Sequence, residues 1–382
     1  MASTYKTPGV YREDVFLKPE VKLPTGVPGF VGFADVMGKG ETSPNVPVSL
    51  HRKEEFATKF IGRPDSYLAD AVAGFFDNGG VRCYVVRGNS DPGKSREEAL
   101  LDAVEALAPL NDLDLVAIPD AMTLRMANNE PDTPAITNLQ NQVLAHCARH
   151  GNRLAILDGL PGSIPEKVLS QRIDMTVGQT GPVNGALYYP WLKMVNGRFV
   201  PPCGHIAGIF SRTDAKVGVF KAPANEEVLG VLDLEINVDN QIQDLLNPEG
   251  INCLRAFSGR GIRVWGARTL SRDPNWRYIN VRRIFLTLQR WIDMNMGWAA
   301  FEPNAPLLWV RIGRELTTYL GGLWQAGALK GQTAEEAFYV KCDTETNPPE
   351  TREVGGVITE IGLAPNSPAE FVVVRILHRV EN

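Results

Sequence analysis

An α/β protein of two domains with extended segments at both ends is what this sequence predicts, and three observations carry the prediction. The chain has 382 residues, more than one hydrophobic core ordinarily supports. From Pro28 to about Asp214, apolar runs of strand length alternate with helical stretches, the pattern of a mostly parallel sheet with helices on its faces. Beyond residue 255 the alternation gives way to two long amphipathic helices and short strands, an α+β arrangement.

Residues 1–24 carry Pro8, Gly9, Pro19 and Pro24, which forbid a long helix, while Val10, Tyr11 and Val15 favour an extended strand that docks. Strands are expected at 29–36, 81–88, 113–120, 153–159, 185–194 and 206–212, several of them continuously apolar as strands buried on both faces are. Helices are expected from Tyr67 to Asp77, ended by Gly79 and Gly80, from Arg96 to Ala108, and from Thr137 to Arg149, stopped at Gly151. Residues 215–255 read as a connector containing Pro223 and Pro248. A helix from about Trp276 to Met296 places Val281, Ile284, Phe285, Leu288, Trp291 and Ile292 on one stripe and Arg283, Thr287 and Arg290 on another. The next is expected to be capped by Asn304 ahead of Pro306 and to run through Leu308, Ile312, Leu316, Tyr319 and Leu323 to Gly327. Thr333 and Glu336 fit a capping box before the strand FYVKC. The chain closes on a strand whose two faces are both largely apolar, Phe371, Val373, Arg375 and Leu377 alternating with Val372, Val374, Ile376 and His378. Such a strand needs pairing, in its own sheet or by addition to a neighbour's.

Composition narrows the function classes. Hydrophobic residues at 44% and charged residues at 22% exclude disorder and collagen-like repeats. A net charge of −5, from 39 basic and 44 acidic residues, gives no overall field toward nucleic acid or an anionic bilayer. The N-terminus lacks an apolar signal core and no stretch reaches the roughly 18 apolar residues of a membrane span, so a cytoplasmic chain is expected. Cysteines 83, 147, 203, 253 and 342 form no C-x-x-C pair and are read as buried apolar residues, so no disulfide framework or zinc site is implied.

One motif points to an enzyme. Gly88 to Ser95, GNSDPGKS, satisfies the phosphate-loop pattern through Gly88, Gly93, Lys94 and Ser95, lies between a strand and a helix, and has Asp120 at the end of a second strand. Local chemistry argues against a cradle: Pro92 removes a backbone donor and Asp91 sets a negative charge beside the anion the loop would hold. Asp-Pro-Gly is equally a polar turn leading to Ser95 as the cap of the Arg96 helix, with Glu98 at its third position. His146 and His150 lack the glutamate and third ligand of a zinc site and are read as a solvated pair at a helix end beside Arg149. No G-x-S-x-G elbow or Ser-His-Asp pattern is present.

The motifs WGARTL (Trp265 to Leu270), YINVRR (Tyr278 to Arg283), FEPN (Phe301 to Asn304), GQTAEEAFYVKCD (Gly331 to Asp343) and PAEFVVVRI (Pro368 to Ile376) recur in one order, with TPGVY (Thr7 to Tyr11) and GFFDNGGVRCYVVRG (Gly74 to Gly88) upstream. Together they resemble the contractile tail sheath proteins of phages, R-type pyocins and extracellular injection particles; residues of roughly 120–250 match in pattern only. The resemblance implies an outer α/β domain over 25–255, an inner α+β assembly domain over 256–366, and arms at 1–24 and 367–382. It implies that Thr7, Pro8, Gly9, Val10 and Tyr11, and Phe371, Val372, Val373, Val374, Arg375 and Ile376, reach neighbouring subunits, and that Arg283, Arg290, Arg311 and Arg314 contact an inner tube. The implied partners are further copies in stacked rings, an inner tube protein, and baseplate and tail-terminator proteins, with no nucleic acid, membrane insertion, metal or cofactor. The implied function is a structural, non-catalytic subunit that polymerises around the tube and contracts, assembled in the cytoplasm as part of a tail-like particle. The shortness of the chain resembles the minimal sheaths of pyocins and extracellular injection particles, and its TYKTPGVY opening is closer to the latter. The alternatives are a phosphate-loop nucleotide hydrolase and another self-assembling tube or capsid component.

Overall fold

The computed structural model describes residues 23–37, 43–89, 93–175 and 181–370. The segments 7–11 and 371–376 therefore lie outside the described residues.

The described residues open with β1 (Pro28–Gly32) and its short continuation β2 (Ala34–Val36), then β3 (Val48–Leu50), α1 (Lys53–Lys59), β4 (Phe60–Gly62) and α2 (Leu68–Asp77). β5 (Cys83–Arg87), α3 (Arg96–Glu105), β6 (Leu115–Ala117), α4 (Thr133–His150), β7 (Leu154–Asp158), α5 (Pro165–Asp174) and β8 (Gly185–Tyr189) continue the alternation. A side sheet of β9 (Leu192–Met194), β10 (Phe199–Val200) and β11 (Val231–Leu234) frames α6 (Cys203–Lys216), and α7 (Asn240–Leu246) leads to the hairpin β12 (Ile251–Phe257) and β13 (Gly261–Trp265). The last third holds α8 (Ile279–Asn295), α9 (Pro306–Gln325), α10 (Ala334–Ala337), β14 (Phe338–Lys341), α11 (Pro349–Glu353) and β15 (Glu360–Leu363).

Eight strands form one sheet in the order β13-β12-β8-β7-β6-β1-β5-β3. The six inner strands run parallel, and β3 and β13 pair antiparallel at the edges. All five residues of β1, β7 and β8 are buried, as strands covered on both faces must be. One face packs on α3, α4 and α5 through Leu100, Leu139, Val143 and Val168. The other packs on α2, α6 and the first half of α8 through Val72, Phe75, Phe210, Ile279 and Leu286. The second half of α8 belongs to smaller cores: Leu288 with Leu320 and Phe338, and Trp291 stacked on Tyr319 at 4.3 Å. Thus α8 is shared between the large sheet and the unit of α9, β14 and β15.

Six readings are corrected. Residues 206–212, expected as a strand, lie in α6; a short apolar run does not distinguish a strand from a buried helix. Gly204 and Gly208 are poor helix formers, yet a Cβ there would stand 2.3 Å from the Ala71 carbonyl oxygen and 2.4 Å from that of Phe75. Contact with α2 therefore decides the conformation. The boundary expected between 255 and 256 falls inside β12, which pairs with β8 on one side and β13 on the other. The supposed connector contains β11, α7 and most of β12. At α9, Ala305 occupies the cap position, and the Thr333 side chain does not cap α10: Glu336 instead accepts the Gln332 N–H at 2.8 Å. Finally, His146 is fully buried, its ring 3.2 Å from Arg153 and 3.4 Å from Glu105. Of the cysteines, 83, 147, 203 and 253 are buried and 342 is half-buried.

Buried titratable groups give a pH signature. Burial pushes the carboxyl of Asp158, which accepts the Cys203 amide at 2.8 Å, up to about 7, and that of Asp120 up to about 6, above the ordinary value of about 3.9. Between about pH 4 and 7 the folded state therefore holds more protons at these sites, so their contribution to stability falls as pH rises. Burial lowers His146 and His205 to about 4, so their contribution falls as pH drops from 6.5. The two trends oppose each other. Asp158→Asn is expected to lose stability more steeply on acidification than the wild type, measured as the urea midpoint at pH 7.5 and pH 5.

Candidate functional site

The polar residues buried between elements converge on the two ends of the described chain. Asp114, just before β6, accepts the Val27 and Gly26 amides at 2.7 and 3.1 Å. Arg283, one turn into α8, donates to the same carboxylate at 2.9 Å and to Asp214 of α6 at 2.6 Å, with its guanidinium over the Phe210 ring. Burial disfavours its charge, but the Asp214 and Asp114 carboxylates outweigh that and hold Arg283 above the ordinary arginine range. Two turns on, Arg290 donates to the Pro24 carbonyl at 2.6 Å and to that of Asp112 at 3.2 Å. Residues 24–27 are thus locked to α8.

Arg283 and Arg290 are 2% and 1% exposed, so neither is available to a tube. The polar stripe they share with Thr287 was legible; that its face meets buried carboxylates was not. Arg311 and Arg314 of α9 are exposed. Arg311 lies 3.6 Å from the centroid of the Trp298 ring and 3.6 Å from Glu315, while the Trp298 indole donates to Glu315 at 2.9 Å. Beside them Leu307 and Val310 are 82% and 68% exposed, and Phe301 of FEPN is fully exposed with φ of +68°.

The C-terminal end is held by the WGARTL segment. Trp265 packs on Phe257 at 4.5 Å, and the Leu270 amide donates to the Gly185 carbonyl at 2.9 Å. The Arg268 guanidinium grips Glu370 with two parallel hydrogen bonds, Nε to Oε1 at 2.9 Å and Nη2 to Oε2, and donates to the Asn247 carbonyl at 3.0 Å. Asn280 of YINVRR donates to the carbonyls of Phe220 and Asn366, each at 2.9 Å. Asn304 accepts from the Trp309 indole and donates to the Gly356 carbonyl, both at 2.8 Å, so it pins a loop where a helix cap was expected.

The phosphate-loop pattern takes the alternative reading. Lys94 is paired with Asp102 of α3. Ser95 and Glu98 form a reciprocal capping box, the Glu98 amide donating to Ser95 Oγ at 3.1 Å and the Ser95 amide to Glu98 Oε2 at 2.9 Å. Asp120 lies at the sheet's topological switch point, between β6 and β1, where doubly wound folds bind ligands. Its carboxylate is already occupied by the Phe33 and Tyr67 amides, each at 2.6 Å, and by Ser66 Oγ at 2.7 Å. Among the described residues no cluster of three metal-ligating side chains occurs, and no helix is long and apolar enough to cross a membrane.

Sequence reasoning missed Asp114, Asp214 and the grip on Glu370. The first carried a signal, since it is a carboxylate inside an apolar strand run and needs a buried partner.

A doubly wound sheet whose interior charges lock both ends of the described chain stands beside a small unit with exposed apolar side chains on α9. Comparison with known proteins gives the family. The model of the phage tail sheath protein central domain matches residues 93–270, and that of the phage tail sheath C-terminal domain matches residues 271–378. The helical sheath of the anti-feeding prophage in its contracted state superposes with a TM-score of 0.77 at 30% identity, over 98% of this chain and 99% of that one. A prophage major tail sheath protein of Pseudomonas aeruginosa is 25% identical over 89% of this chain and 88% of its own length. The tail sheath protein of Enterobacteria phage T4 is 26% identical over 184 residues, 47% of this chain, and the match spans only 27% of that protein. The chain belongs to the contractile tail sheath family. That family is structural, and the sheath of an extracellular contractile injection system in its contracted state is also similar, with a TM-score of 0.74 at 28% identity over 99% of each chain.

Proposed function

We propose that the chain is the repeating subunit of a contractile sheath, in which copies stack as a helix of rings around an inner tube and shorten together to drive the tube through a target envelope. The observation that carries this reading is similarity along 98% of the chain to a sheath in its contracted state. Residues 25 to the end of the β12–β13 hairpin form the outer part in this reading, and residues from 271 onward the part nearer the tube. Residues 7–11 and 371–376 reach neighbouring subunits, completing small sheets there by strand addition. A bias of a few kcal/mol per subunit between two packings, summed over rings, is ample to do mechanical work.

Tube contact falls to Arg311 and Arg314, the two of the four arginines whose side chains are exposed. Exposed pairs are individually worth about 0–1 kcal/mol, which suits a grip that must be released. Reversing both charges, Arg311→Glu with Arg314→Glu, is expected to leave the subunit folded and to reduce co-sedimentation with the tube protein several-fold; undiminished co-sedimentation would remove these residues from the contact. Contraction itself is tested by cryo-electron microscopy of assembled particles before and after mild urea. Two sheath lengths, the shorter one wider, are expected, and a single length throughout would contradict contraction.

A further inference from the structure

The chain leaves the small unit at β15, and by Glu370 it has crossed back to the large sheet. Pro365 bridges Leu329, and Asn366 is held by the Ala328 amide-side loop, its N–H donating to the Ala328 carbonyl at 3.1 Å and its side chain to that of Gly327 at 2.8 Å. Four residues later, Glu370 meets Arg268, 102 residues away in sequence, in a pair whose side chains are only 9% and 15% exposed. Arg268 is itself fixed at its backbone: Asn252 of β12 accepts the Arg268 amide at 2.7 Å and donates to its carbonyl at 2.8 Å. The same Asn252 amide donates to Leu187 of β8 at 3.2 Å. A hydrogen-bonded route therefore runs from Glu370 through Arg268 and Asn252 into two adjacent strands of the eight-stranded sheet. Gly266 admits this approach, since a Cβ there would stand 2.8 Å from Asn252 Oδ1.

We propose that the Arg268–Glu370 pair is the anchor of the C-terminal segment, so that a pull on residues 371 onward is borne by the large sheet through Arg268 and not by the small β14–β15 hairpin. The inference rests on the sheath reading, in which those residues hold a neighbouring copy. Two parallel bonds from a planar guanidinium fix direction as well as distance, which a lysine at the same place does not. The Glu370 carboxylate, hydrogen-bonded to it, holds Arg268 above the ordinary arginine range. In this reading Arg268 and Glu370 are positioning residues: they act by setting where the tethering segment leaves its own subunit.

The test compares Arg268→Lys, Glu370→Gln and the double variant in the full chain, reading the critical concentration for cylinder assembly by sedimentation and the melting temperature of the unassembled subunit. Loss of a charge-assisted bidentate pair is expected to raise the critical concentration about tenfold. The monomer melt is expected to stay close to wild type, and the double variant to be no worse than the worse single one, because both act through one contact. Wild-type assembly by the variants, additive effects, or a fall in monomer stability large enough to explain the lost assembly would overturn the anchor. If wild-type chain forms no cylinders, either alone or with a tube protein, the sheath reading fails on its own account. Hydrogen exchange of the 364–370 peptide in the monomer then decides the anchor, with faster exchange in Glu370→Gln supporting it and unchanged exchange refuting it.

Discussion

Replacing Arg283 with Met is expected to destabilise the subunit by about 3–5 kcal/mol, the cost of leaving buried carboxylates without their cation. Asp214 and Asp114 flank Arg283 at 2.6 and 2.9 Å, and the side chains of all three are 6% exposed or less. Asp114 keeps its bonds from Gly26 and Val27 and its ion pair with Arg290 at 3.8 Å, but Asp214 loses the cation that donates to both its oxygens. The effect is not local. Arg283 joins α8 to α6 and, through Asp114, to the segment leading into β1, so its loss loosens the contact by which α8 is shared between the large sheet and the small unit. Arg283→Met combined with Asp214→Asn is expected to recover part of the loss, because the uncompensated charge is then gone. Urea denaturation followed by circular dichroism measures both. A loss below about 1 kcal/mol, the range of an exposed pair, would show that solvent reaches the cluster.

Deleting residues 371–382 is expected to leave a folded subunit that no longer forms cylinders. Every strand of the eight-stranded sheet and the Arg268–Glu370 pair lie within residues 28–370, so the deletion removes none of the described cores. In the proposed sheath the lost interaction is between copies. Four to six ladder hydrogen bonds at about 0.5–1.5 kcal/mol net each, with buried valines, amount to several kcal/mol per contact. A loss of about 4 kcal/mol raises the critical concentration on the order of a thousandfold. Cylinders of normal length from the truncated chain would refute strand exchange at this end.

The central sheet was legible because its strands are long, apolar and punctuated. β1, β5 and β7 lie within the runs 29–36, 81–88 and 153–159 to within a residue, and α4 stops at Gly151, which takes a φ of +65°. What sequence could not show is where tertiary contact overrides local preference. α6 reads as a strand because its glycines, poor in a helix, are required by the backbone of α2. β15 was invisible because Gly362 breaks its pattern, yet a Cβ there would lie 2.0 Å from the Tyr339 ring across the hairpin. The same limit governed the candidate site. A stripe of arginines on an amphipathic helix reads as a solvated face until the carboxylates opposite it are known. Asp114 and Asp214 stand 169 and 69 residues from Arg283 in sequence, and only the fold brings them together. Arg311 and Arg314 followed the simpler rule because no other described element covers their side of α9 with opposite charge beyond Glu315 of the same helix.

The most direct measurement is negative-stain electron microscopy of the purified chain over a range of concentrations, alone and with its inner tube protein. Hollow, ridged cylinders wide enough to surround a tube are the predicted result. Dispersed particles under both conditions would contradict a sheath subunit.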